Sequence, residues 1–120
     1  MDFEILDSRP IWQQLTEQIR RRIVTGEYAP GGRLPSVREL AAEAGVNPNT
    51  MQRAMAELEQ EGLLVGGGTL GKFVTEEQSI VDNLRQKAVA DAIAAAAARF
   101  RELGLRMEEA ATLLTQHKEG

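Results

Sequence analysis

LPSVRELAAEAGVNPNTMQRAMAELEQEGLL, residues 34–64, holds two short helical patterns joined by a tight turn. Ser36 and Glu39 have the spacing of a capping box, in which each side chain satisfies a free amide at the helix start. Val37, Leu40, Ala41 and Ala44 recur on one helical face, and Gly45 supplies the stop. Asn47 then caps a second helix, with Pro48 at its first position, where no amide donor is needed. Met51, Ala54, Met55 and Leu58 share the apolar face of that helix, and Gly62 closes it. Helix, short Gly-bearing turn and helix is the helix-turn-helix arrangement. It predicts a reader of DNA.

The opposite face of the second helix carries Asn49, Gln52, Arg53 and Ala56, with Thr50 beside them. Amides and a guanidinium can make paired hydrogen bonds to base edges in the major groove, and Thr can hold a phosphate or a base. Ala56 keeps the face low. Glu57, Glu59 and Glu61 would repel phosphates, so only the N-terminal half of the helix suits the duplex, the usual docking of a recognition helix. Periodicity alone leaves a solvated polar face in an all-helical domain equally open.

The residues that follow tip that balance. Leu63, Leu64 and Val65 lead into GGGTLG and then into Lys72, Phe73, Val74 and Thr75, two β-prone runs around a Gly-rich turn. A hairpin directly after a helix-turn-helix reads as a wing, with Thr69 and Lys72 placed to touch the DNA backbone. The Gly cluster lacks the G-x-x-x-x-G-K-[ST] spacing of a phosphate-cradling loop, and no helix start follows it.

Charge runs against this reading at first sight. The 120-residue chain carries a net charge of −4, whereas nucleic-acid binding usually leaves a basic footprint. Between Ser8 and Glu76, however, the basic residues Arg9, Arg20, Arg21, Arg22, Arg33, Arg38, Arg53 and Lys72 equal in number the acids Glu17, Glu27, Glu39, Glu43, Glu57, Glu59, Glu61 and Glu76. Binding then requires segregation of charge onto one face, and modest, salt-sensitive affinity per subunit is expected. A hydrophobic share of 42% is enough for a core. With no Cys there are no disulfides or thiolate metal sites, which fits a reducing cytoplasm. The first residues show no signal-peptide pattern, and no apolar run is long enough to span a bilayer.

Before the central stretch, Phe3 and Ile5 alternate as a short edge strand would. Pro10 opens a first helix whose buried side is expected to hold Trp12, Leu15, Ile19 and Ile23. Arg20, Arg21 and Arg22 suit either the C-terminal dipole of that helix or phosphate contact. Gly26 ends the helix, and YAPGGRLP connects it to the helix-turn-helix. Beyond the wing, Ser79 is expected to cap a long helix running to about Leu103, stopped by Gly104. Val81, Leu84 and Ala88 form one apolar row on it, and Val89, Ile93, Ala96, Phe100 and Leu103 form another. A last helix has Met107, Ala110, Ala111 and Leu114 on one face. Two such helices cannot bury both rows alone. The expected partner is a second copy of the chain, because dyad-symmetric dimers match palindromic operators; a fold-back onto the winged domain is the alternative.

The run from Pro10 to Leu64, followed by GKFV, closely resembles the winged-helix domain of GntR-type bacterial transcription regulators. The family pattern of P-G-x-x-L-P-S-x-R-x-L-A, then G-V-x-x-x-T, then L-E-x-x-G falls on Pro30, Leu34, Pro35, Ser36, Arg38, Leu40, Ala41, Gly45, Val46, Thr50, Leu58, Glu59 and Gly62. The resemblance implies that Arg38 contacts a phosphate or base and that Thr50 is the recognition-helix Thr. Asn47-Pro48 stands where many members have a Ser-Arg or Thr-Arg pair, and GGGTLGK stands where the wing commonly has Arg-Gly-x-Gly-Thr. The NPNT and T-x-G-K-F-V segments resemble the YtrA-like branch, which has the shortest C-terminal region.

Enzymatic readings find little support. His117 is the lone His, with no second metal-ligand group and no nucleophile paired with a base. The chain leaves no room for the aminotransferase-like or ligand-binding domains of other branches. The expected fold is α+β, a winged helix-turn-helix over residues 1–77 followed by a C-terminal two-helix hairpin for dimerisation over 78–120. The expected partners are double-stranded DNA and a second subunit, without cofactor, metal or membrane, and a repressor is the expected role. Residues expected at DNA are Ser36, Arg38, Asn47, Asn49, Thr50, Gln52, Arg53, Thr69 and Lys72. Those expected at the dimer seam are Val89, Ile93, Ala96, Phe100, Leu103, Met107 and Leu114. The competing class is a winged-helix module that binds protein, which would expose apolar groups where Arg38, Asn49, Thr50 and Lys72 stand.

Overall fold

The capping box at Ser36 forms as its spacing requires: Ser36 Oγ accepts from the Glu39 amide at 3.1 Å, and Glu39 Oε1 accepts from the Ser36 amide at 3.2 Å. It starts α2 (Val37–Ala44) in the computed structural model, which describes residues 3–6 and 8–118. Gly45 ends the helix at φ 70° in open space. There the Val46 amide reaches back to the Ala41 carbonyl at 3.0 Å, closing the turn tightly enough for α3 (Pro48–Gln60) to begin two residues later. Asn47 Oδ1 caps α3 by accepting from the Asn49 amide at 2.8 Å.

Ahead of these lies α1 (Ile11–Val24), which packs on α3. Leu15, Ile19 and Ile23 of α1, Leu40 and Ala41 of α2, and Met51, Ala54, Met55 and Leu58 of α3 form one buried cluster with Leu34, Leu63, Leu64 and Val74. Each of the larger side chains contributes about 1.5–3 kcal/mol by leaving water. Trp12, expected in this core, is only half-buried, because it stands at the N-terminal rim of the α1–α3 contact.

The edge strand expected around Phe3 and Ile5 is replaced by another arrangement. The Gln14 and Gln18 side chains, one helical turn apart on α1, each exchange two hydrogen bonds with one backbone position, and Gln14 also donates to the Arg9 carbonyl at 2.8 Å. Gln18 pairs with Glu4 at 2.8 and 2.6 Å, and Gln14 pairs with Leu6 at 2.7 Å in both directions. Two amides thus stand in for a neighbouring strand, while Phe3 and Ile5 pack against the core. Met1, Asp2 and Asp7 of that segment lie outside the described residues.

The wing is an antiparallel pair, β1 (Leu64–Val65) and β2 (Phe73–Val74), with Leu64 opposite Val74 and Val65 opposite Phe73. A 3-10 turn, Gly68–Leu70, sits between them. The far side of β2 is also occupied: Gly31 and Leu34 donate to the Val74 and Lys72 carbonyls at 2.9 Å, and Val74 donates to Gly32 at 2.9 Å. The YAPGGRLP connection is therefore a third strand-like edge, with Arg33 bridged to Phe73.

Next comes α4 (Gln78–Glu102), which begins one residue before the expected cap at Ser79; Thr75 Oγ1 accepts from the Glu77 amide at 3.1 Å just ahead of it. Two compact units divide the chain within this helix, residues 1–84 and 85–120. Val81, with Ile80 and Leu84 beside it, belongs to the core of the first. In the second, Gly104 turns the chain at φ 79°, with the Leu105 amide bonded to the Phe100 carbonyl at 2.9 Å, and α5 (Met107–Gln116) follows. Ala110 is the buried apolar residue of this unit, among the described residues.

Candidate nucleic-acid interface

The face of α3 opposite Met51, Ala54, Met55 and Leu58 carries Asn49, Gln52, Arg53 and Ala56, all exposed, with Thr50 half-buried at its edge. Gln60 lies on the same face one turn beyond Ala56. The side chains of Gln52 and Asn49 make no hydrogen bond to any described residue. The start of α2 adds Ser36 and Arg38, both exposed, and Arg38 has no ion-pair partner among the described residues. Ser36 spends its oxygen on the capping box, as Asn47 spends its own on the cap of α3. The backbone and then the side-chain hydrogen bonds to Ser36 hold the Glu39 carboxyl below its ordinary value of 4.5, and the Arg33 charge adds to that effect.

Two basic groups expected to be free are engaged within the chain. Lys72 Nζ pairs with Glu59 Oε1 at 2.7 Å and also donates to the Gly66 carbonyl at 3.2 Å. This contact ties the base of the wing to the last turns of α3. The Arg53 guanidinium lies over the Trp12 ring, 4.0 Å from its centroid. Thr69 is exposed in the 3-10 turn of the wing.

The Arg20–Arg22 triplet divides in a way that neither sequence reading anticipates. Arg20 forms a two-pronged pair with Glu61, its Nε on Oε1 at 2.8 Å and its Nη2 on Oε2 at 2.6 Å. That hydrogen bonding raises its pKa and fastens α1 to the end of α3. Arg22 is buried, donating to Tyr28 Oη at 2.6 Å and Glu43 Oε2 at 2.7 Å, with its guanidinium 4.0 Å from the Phe3 ring centroid. Burial depresses its pKa, but the Glu43 and Tyr28 hydrogen bonds outweigh that and hold it raised. Arg21 alone of the three is exposed.

Arg33 is the group that sequence reasoning left out. Pairing of residues 31–34 with β2 carries it to the wing, where its Nε lies 3.2 Å from the position a side chain on Gly71 would take. Nothing in its local sequence marks it, because the bridge to Phe73 joins residues forty positions apart.

A helix-turn-helix whose second helix shows a low, polar face with uncommitted amides, followed at once by a two-stranded wing, defines a winged-helix transcription regulator. Comparison with known proteins agrees in kind. The pattern of the family described as "Bacterial regulatory proteins, gntR family" matches residues 12–74. The HTH-type transcriptional regulator YhcF of Bacillus subtilis is 40% identical over 109 residues, covering 91% of this chain and 90% of that protein. The HTH-type transcriptional repressor YtrA of the same organism is 41% identical over 69 residues, covering 58% of this chain and 53% of that one. A solved GntR family transcriptional regulator from Listeria monocytogenes superimposes with a TM-score of 0.87 at 33% identity, covering 95% of this chain and all of that one.

The chain belongs to the GntR family of DNA-binding transcription regulators, and the likeness to YtrA and YhcF agrees with the YtrA-like branch. No helix among the described residues is long and apolar enough to cross a membrane.

Proposed function

We propose that this chain is a homodimeric repressor that reads a palindromic operator in the cytoplasm. Residues 1–77 would bind DNA, and the helical region 78–120 would pair the subunits. The observation that carries the first half is the α3 face: the Asn49 and Gln52 side chains are exposed and hydrogen-bonded to no described residue, on a helix capped by Asn47 and packed on α1 and α2. Uncommitted amides on a packed helix suit base-edge recognition, because no internal hydrogen bond has to break on binding. Gln52 and Asn49 are assigned to base edges. Arg38, Thr50, Arg53 and Thr69 are assigned to the backbone of the duplex, Lys72 being available to it only on release from Glu59, with Ser36 and Asn47 directing their helix starts toward it.

Pairing is supported by the second unit, where Val89, Ile93 and Leu103 are 52%, 63% and 62% exposed and Met107 and Leu114 are exposed as well. Ala96 and Phe100 are half-buried in the same stretch. Apolar surface of this extent on so small a unit favours coverage by a like surface. Repression follows from occupancy: a dimer seated on an operator excludes other proteins from the same grooves, and the relative YtrA is named a repressor.

Selection of bound sequences from a random DNA pool tests the reading. The expected product is an inverted repeat with half-sites about one helical turn apart, or a multiple of it. Failure to enrich any sequence at any salt concentration would overturn it.

A further inference from the structure

Arg53 and Trp12 are the contact on the α3 face that the sequence did not foresee. Trp12 comes from the first turn of α1, and its ring carries the Arg53 guanidinium at 4.0 Å. An Arg at that site has another partner within reach. Glu57 stands four residues on, the spacing at which opposite charges pair along a helix. No Arg53–Glu57 ion pair forms among the described residues; Glu57 instead lies beside Trp12, Glu17 and Arg20 in a cleft of about 200 Å³, where its charge acts on Arg20. The contrast with Lys72, neutralised by Glu59 on the other flank of the same helix, is direct.

Stacking and ion pairing have opposite consequences for a DNA-binding Arg. A carboxylate occupies the guanidinium donors and cancels the charge. An aromatic face holds the plane through its quadrupole and leaves the N–H edge free to donate. Because Trp12 belongs to α1, this contact places the Arg53 guanidinium on the α1 side of the face, at its rim. The rim of a helix seated in the major groove meets phosphates rather than base edges.

The geometry points to Trp12 as a positioning residue that keeps Arg53 off Glu57 and sets its guanidinium as a clamp on an operator phosphate. This rests on the DNA-reading assignment above and adds to it a residue outside the helix-turn-helix. Trp12 itself need touch no nucleotide.

The test is salt titration of operator binding, using the sequence selected from the random pool, for the full chain and for Trp12→Leu, Trp12→Phe, Arg53→Ala and the double variant Trp12→Leu/Arg53→Ala. Loss of one phosphate contact per subunit lowers the log–log salt slope by about 0.9 per subunit in Arg53→Ala. Trp12→Leu is expected to weaken binding about 2- to 5-fold, the range of one exposed cation–π contact, and to lower the slope in the same direction. Trp12→Phe, which keeps an aromatic face, restores both. The double variant binds no more weakly than Arg53→Ala, because Trp12 acts only through Arg53. Circular dichroism and the thermal midpoint identify any variant that has lost its fold; if Trp12→Leu has, Trp12→Gln, non-aromatic and polar at this half-buried position, takes its place in the single and double variants. A Trp12→Leu slope equal to that of the parent, or a double variant weaker than Arg53→Ala, would overturn the inference while leaving the DNA-reading assignment standing. A changed base preference in Arg53→Ala with an unchanged slope would overturn the phosphate assignment. A parent that selects no sequence removes the DNA-reading assignment and this inference together.

Discussion

At the scale of single residues, acids of this acidic chain are placed so as to hold three of its cations. Glu59 holds Lys72, Glu61 holds Arg20, and Glu43 with Glu27 holds Arg22. Lys72 is the pair most easily tested, since both partners are partly exposed. In Glu59→Gln, Lys72 is released to meet phosphate; nonspecific DNA binding should strengthen and its log–log salt slope steepen by about 0.9 per subunit. A salt titration on unrelated duplex DNA reads this directly, and an unchanged slope would show that release from Glu59 adds no phosphate contact. Glu39 supplies a second residue-level prediction. Its pKa is depressed in the folded chain by the hydrogen bonds from Ser36, so its stabilising effect is complete above the ordinary value of 4.5 and is lost as pH falls through the lower folded value. Denaturant midpoints measured from pH 6 down to pH 3 should fall less steeply in Glu39→Gln than in the parent. Equal slopes would mean that the capping box does not carry a proton-linked share of stability.

At the scale of elements, the distance between α2 and α3 is set by one turn. Gly45 adopts φ 70° with nothing near its missing side chain, so a substitution there meets backbone strain and no steric clash. Gly45→Ala should cost about 1–2 kcal/mol, the penalty of left-handed backbone for an L-residue. A urea titration should show a lower midpoint with an unchanged slope. A midpoint within error of the parent would show that the turn relaxes to another conformation. The wing behaves differently, because its position depends on partners distant in sequence. Residues 31–34 on one side and β1 on the other both pair with β2. The hairpin around GGGTLG was legible from the residues that form it. The third edge was not, since YAPGGRLP reads as a turn and carries only Leu34 as a buried apolar anchor.

At the scale of the whole molecule, the exposed apolar side chains of residues 85–118 set the expected assembly. Ile93 is 63% exposed within its own chain, so a charge there leaves the isolated subunit undisturbed. In Ile93→Glu, a seam that buries position 93 would have to take an unpaired carboxylate out of water. Sedimentation should then show monomers with the helical signal of the winged unit retained. Operator affinity should fall by about 10²-fold or more, because the second half-site no longer binds as an intramolecular event. A dimer that survives Ile93→Glu would place the interface on another face.

The helix-turn-helix, its caps and the hairpin of the wing were legible in the sequence because each depends on neighbours within a few positions. A capping box needs residues three apart, an apolar stripe needs steps of three and four, and a Gly stop needs only its own backbone. Asn49 and Gln52 could be picked out as exposed for the same reason, being simply off the stripe. What the tertiary structure decided was the partner of each long polar side chain. Gln14 and Gln18 replace a strand beside residues 4 and 6, Arg22 is buried beneath Phe3 and Tyr28, Arg33 arrives at the wing, and Arg53 rests on Trp12 rather than Glu57. Arg, Lys and Gln side chains reach several ångströms in any of many rotamers. Their choice depends on which backbone and ring faces the packed core brings within that reach, and local sequence carries no record of it.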